Sequence, residues 1–157
     1  RHHKMKHSTL CRIYLTIIST KRTMDKSLLC LSYIKHMIEI NTDVQPLLPN
    51  IDNIYCSIAP EGTVYPYVIL TLDNLTVQYT KDRAFDNTIS FTVTVYHNKY
   101  KDCMLLSNAI RAALENHQWK NKAEGFFIHW INMVSATTGV TPDYNYVTHM
   151  SFSTMME

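Results

Sequence analysis

The feature that most constrains this chain is the run 88–97, in which polar and apolar side chains alternate without a break. Ile89, Phe91, Val93 and Val95 fall on one side; Thr88, Ser90, Thr92, Thr94 and Tyr96 fall on the other. A β-strand turns successive side chains to opposite faces, so period two reads as a strand with one apolar face and one polar face. Such a strand belongs in an antiparallel sheet that rests one side on a core and keeps the other wet. The rest of the chain must then supply cover for one face only.

Two segments have the pattern to do so. In 25–40, Cys30, Leu31, Ile34, Met37 and Ile38 recur at three- and four-residue steps, the stripe of an amphipathic helix. Pro46 and Pro49 then stop it. A second helix is expected at about 103–117, with Asp102 as its N-cap. Its stripe is Cys103, Leu106, Ala109, Ile110, Ala113 and Leu114, and the alanines let it lie close to a sheet.

Further strands are predicted at 54–58, 65–72, 75–80, 126–134 and 144–154, separated by turns around 59–63 and around Gly139 and Pro142. Pro66 sits near the start of its strand, where a missing ladder donor does least harm. The polar run 81–87 reads as an exposed loop or hairpin tip. Residues 11–18 also alternate and suggest a strand ahead of the first helix. The expected order is (β)-α-β-β-β-β-α-β-β: an α+β fold with an antiparallel or mixed β-sheet and two main helices packed on it. At 157 residues one domain is expected. Residues 1–23 are read as a basic N-terminal arm, possible as an added strand, and 24–157 as a single α+β domain opening at Met24.

Charge supports that division. Residues 1–22 hold six basic side chains and no acid, while the whole chain has a net charge of +2; the remainder is therefore at −4. Basic arms of this kind contact nucleic acid or acidic partners, or are simply solvated. The apolar stretch within the arm is broken by Arg12 and is shorter than the roughly 20 residues a membrane helix needs. No membrane role is expected, and the chain is read as soluble.

Chemistry is hard to find. The three glycines are far apart, which argues against a glycine-rich phosphate loop. The four cysteines, Cys11, Cys30, Cys56 and Cys103, lack zinc spacing and are expected as buried free thiols. Cys103 at a helix start has the position of an activated thiol, but it also lies on the apolar stripe. His97, His117, His129 and His149 are scattered, with only His129 and His149 expected on neighbouring strands, where they would face each other. No GxSxG elbow or paired acids are present. Neither a catalytic residue, a metal site nor a cofactor is expected. Lys99, Lys101, Arg111, Lys120 and Lys122 cluster loosely and read as solvated charge rather than a nucleic-acid face.

The order of features does point to a family. A leading amphipathic helix is followed by the strand Ile54-Tyr55 and a turn running into Tyr-Pro-Tyr-Val: Ala59-Pro60-Glu61-Gly62-Thr63-Val64-Tyr65-Pro66-Tyr67-Val68. The alternating strand 88–96 precedes a helix ending Ile110-Arg111-Ala112-Ala113-Leu114, and final strands close the chain. Over about 24–154 this resembles the tail terminator, or tail completion, proteins of long-tailed bacteriophages. The resemblance implies a non-enzymatic virion protein that forms a homo-oligomeric ring, commonly six-fold. Such a ring caps the head-proximal end of the tail tube and joins it to the neck.

Its implied partners are its own copies, the tail tube protein and neck or connector proteins, with DNA only passing through the ring lumen. It would assemble in the host cytoplasm and end in the virion. On this reading the candidate subunit or tube interface is Lys81, Asp82, Arg83, Phe85 and Asp86, with Thr92, Thr94 and Tyr96 on the polar strand face. A neck adaptor ring, a small metal- or thiol-dependent enzyme, and a module that binds peptides by strand addition are the alternatives.

Overall fold

The computed structural model describes residues 26–79 and 85–157. The basic arm, including its alternating segment, and Lys81, Asp82 and Arg83 lie outside the described residues.

The fold is α+β with a mixed sheet, as expected. A short 3-10 turn, Ser27–Leu29, leads into helix α1, Cys30–Glu39, whose buried residues are the predicted stripe. The Asn41 side chain accepts the backbone N–H groups of Asp43 and Val44 at 2.9 and 3.1 Å, turning the chain. A second 3-10 turn, Gln45–Leu47, holds Pro46 in its first turn. Strand β1 is Ile54–Cys56, β2 is Tyr67–Tyr79 and β3 is Phe85–His97. Helix α2, Tyr100–Leu114, follows. Strands β4, Trp119–Asn121, β5, Phe126–Ile128, β6, Asn132–Val140, and β7, Tyr146–Met156, complete the order.

The sheet runs β1-β2-β3-β7-β5-β4, and β6 also pairs with β7. Only β1 and β2 are parallel. The outer side of β7 is shared: β6 takes residues 146–153 and β5 takes Met156. Both helices pack on the face that carries Ile89, Phe91, Val93 and Val95, all fully buried. Facing them are Leu106, Ile110 and Leu114 of α2 and Ile34 and Ile38 of α1. The Phe91 and Phe152 rings stack across β3 and β7 at 5.4 Å. Burying each such side chain contributes about 1.5–3 kcal/mol, so this layer dominates stability.

Several boundaries differ from the sequence reading, each for a local reason. The two strands expected at 65–72 and 75–80 are one strand, β2, with a bulge between Leu72 and Asn74. The extra residue, Asp73, shifts the alternation so that Leu72 and Leu75 stay on the core side. Strand β3 begins at Phe85, inside the run expected as a loop. Helix α2 starts at Tyr100, earlier than predicted; Lys99 is its N-cap without a side-chain bond, and Asp102 lies in its first turn. There its carboxylate favours the positive end of the helix dipole instead of capping it. The strand expected at 126–134 is broken in two, because Ile131 is tied to the end of α2: its N–H donates to His117 O at 3.1 Å, and its carbonyl accepts from Asn116 N–H at 2.8 Å. The last two strands are joined by a turn at 141–145, and Gly139 lies within β6 rather than in that turn.

Candidate functional site

The described residues bring together no catalytic constellation. Cys30 is fully buried, and burial pushes its thiol up to about 12, which keeps it protonated and unreactive. Cys103 is also fully buried, with its sulfur 3.9 Å from Val95 O and 3.5 Å from Thr148 Oγ1. It is a packed residue, not an activated one. Cys56, expected to be buried, is exposed on the edge strand β1. His129 and His149 do not meet: His149 Nδ1 lies 3.2 Å from Thr94 Oγ1, and His129 Nε2 lies 3.2 Å from a carboxylate oxygen of Glu157. β-Register explains this, since His129 flanks Met155, six residues along β7 from His149. Among the described residues no three His, Cys, Asp or Glu side chains cluster as a metal would need. No helix among them is long and apolar enough to cross a membrane.

An open groove of about 320 Å³ runs between α2 and the last strands, lined by Met104, Ser107, Asn108, Arg111, Met133, Ala136, Thr138, Thr148 and Met150. Arg111 is its sole ionisable lining group, and Glu115 holds it through a hydrogen bond of 2.6 Å. That bond lowers the Glu115 pKa and raises that of Arg111. The groove is an apolar channel without converging charge.

What the molecule offers instead is surface. The sheet face away from the helices is rich in hydroxyls. Thr92 and Thr94 both point there, and their bonds hold it in order: Thr92 Oγ1 donates to Asp73 Oδ2 at 2.5 Å, and Thr94 is buried beside His149. Tyr96 stacks on Tyr67 at 4.7 Å, and Tyr67 on Tyr65 at 5.4 Å. Burial, reinforced by Tyr65, Tyr96 and Asp143, raises the Tyr67 pKa. Of the other sequence-predicted interface residues, Phe85 and Asp86 pair with Tyr79 and Gln78 at the start of β3. The structure thus places Thr92, Thr94 and Tyr96 on one face, and Phe85 and Asp86 at the far end of the β2–β3 hairpin from Tyr96.

Two features escaped the sequence reading. Among the described strands β6 has a single partner, β7, and its residues from Val134 to Val140 are exposed in an unbroken run. Val134 and Val140 are 68% and 60% exposed. No ionisable residue occurs in β6. A stretch of small, uncharged residues gave the only hint, and its alternation is too weak to reveal a strand.

The second feature is Tyr144, at the tip of the β6–β7 turn. Tyr144 N–H donates to Thr141 O at 2.9 Å, and Thr141 N–H to Asn145 O at 2.8 Å, so Pro142-Asp143-Tyr144 is a three-residue hairpin loop between Thr141 and Asn145. Its final loop residue takes a left-handed φ of 59°, usually given to glycine; here it is a tyrosine 87% exposed.

A family model described as Tail completion protein gp17 matches residues 41–157. No curated protein matches the chain. A chain in a solved structure of the virion of a native gene transfer agent particle shares the fold, with a TM-score of 0.60 and 13% identity, covering 79% of this chain and 91% of that one.

Proposed function

As the chain belongs to the Tail completion protein gp17 family, we propose that it works as a non-enzymatic ring that caps the head-proximal end of the tail tube and joins it to the neck. A phage tail structural role follows from the family; ring formation and the capping position are the proposal. The family match over 41–157 carries it, and the fold shared with a virion component supports it.

The physical fit is in how the surface is used. The sheet is covered on one face only, its other face is uncharged over much of its area, and β6 lies open at its edge. A subunit that meets copies of itself head to tail needs such surfaces at opposite ends. Over β2, β3, β6 and β7 the described residues of this hydroxyl-lined face include no Lys or Arg, which suits a passage through which DNA moves without being gripped, since phosphate affinity comes from those side chains. Residues 1–23 remain a basic arm appended to the domain 24–157. Assembly takes place in the host cytoplasm before the subunit enters the virion.

Native mass spectrometry of the full chain, alone and with purified tail tube protein, tests the proposal. A closed oligomer of one fixed stoichiometry, formed alone or on the tube, is the expected result. A chain that stays monomeric at high concentration and on the tube contradicts it.

A further inference from the structure

Resting on the ring reading, we propose that the joint between neighbouring copies is a β-ladder, in which β6 of one copy adds to the open edge of β2 of the next.

Among the described strands, and besides the three-residue end strands β1 and β4, two long stretches of open edge lie on opposite sides of the β2-β3-β7-β6 ladder. On one side, β1 covers β2 only from Val68 to Leu70, and Ser57 then turns away with a left-handed φ of 73°. From Thr71 to Gln78, β2 pairs with β3 alone among the described strands. On the other side, β6 pairs with β7 alone among the described strands. The open stretches are of similar length, and their directions match. Each neighbour in β2-β3-β7-β6 is antiparallel, so β6 runs opposite to β2. Laid against the next copy's β2, it continues the alternation without a break.

The faces match as well. Toward the helices, β6 presents Met133, Ala136, Thr138 and Val140, and β2 presents Leu72, Leu75 and Val77; the other side carries Ser135 and Thr137 on β6 and Asn74, Thr76 and Gln78 on β2. The helix side is mainly apolar on both strands, and the other side is polar on both. Charge offers no obstacle. Monomeric proteins guard long edges with lysines, prolines or inward charges. Strand β6 has none, and the one charge in the β2 stretch, Asp73, is engaged by Thr92. Because the two edges differ, such a joint is heterologous: it gives a ring where the rotation between copies closes and an open filament where it does not.

With the two stretches centred on each other, Ser135 falls opposite Thr76, both exposed. In a full-length Cys11→Ser, Cys56→Ser background, Ser135→Cys and Thr76→Cys test the joint by mild oxidation and denaturing electrophoresis. The double variant is expected to give a ladder of cross-linked species rising to the ring size, and each single variant none of it. If native mass spectrometry shows rings but the double variant gives no ladder, the joint is wrong while the ring reading stands. A cross-linked dimer from Ser135→Cys alone means that β6 pairs with itself, and also overturns it. If the unmodified chain forms no ring, the failure belongs to the ring reading.

Discussion

Strands β3 and β6 are both long strands of one sheet, yet they spend their side chains in opposite ways. In β3, Ile89, Phe91, Val93 and Val95 have no exposed surface, and both edges are paired. In β6 nearly every side chain is exposed and one edge is open. Secondary structure is therefore not the unit of stability here; cover is. The helices sit over β3 and the middle of β7, and the sheet overhangs them at β6. What lies under the helices holds the fold, and what overhangs is available to a partner.

Substitutions sharpen this contrast. Phe91→Ala removes a fully buried ring and is expected to cost about 3–5 kcal/mol, read as a large fall in midpoint in thermal or urea unfolding. A loss below about 1 kcal/mol would remove the claim that stability sits under the helices.

Alkaline pH probes the same layer through Cys30. Its thiol is raised from 9.0 to about 12 in the fold, so the unfolded chain releases this proton first. The stabilising effect is complete below 9.0 and is lost as pH rises toward 12, at up to about 1.4 kcal/mol per pH unit. Cys30→Ala should flatten that part of the stability curve. In the folded chain, thiol alkylation with peptide mapping should find Cys56 modified and Cys30 protected.

The β6–β7 turn gives a smaller effect of opposite sign. Tyr144→Gly relieves the left-handed backbone and is expected to raise stability by up to about 1 kcal/mol, read in thermal unfolding. A fall in stability would mean that the tyrosine side chain supports the turn. Smallest in stability is Val134→Ser, expected within about 0.5 kcal/mol of the parent because its side chain is exposed, yet reducing ring formation in native mass spectrometry.

The same division explains what the sequence revealed. Where one face of an element is buried, burial imposes a period, and the stripe of α1 and the alternation of β3 are legible for that reason. Strand β6 buries almost nothing, so no period marks it. The bulge at Asp73 was written as two adjacent polar residues, Asp73-Asn74, which read as a break between strands rather than a step within one. Strands β4 and β5 are three residues each, too short for any period to establish itself. Thr92, Thr94 and Tyr96, expected at an interface, were legible as a polar strand face. The open edge beside it depends on which strand ends up outermost, a fact of topology that local pattern does not carry.

Hydrogen exchange with mass spectrometry, on the free subunit and on the assembled ring, tests the central claim most directly. Amides of 132–140 should exchange fast in the free chain and become strongly protected in the ring, while those of 89–95 are slow in both. Equal exchange at 132–140 before and after assembly would contradict the account.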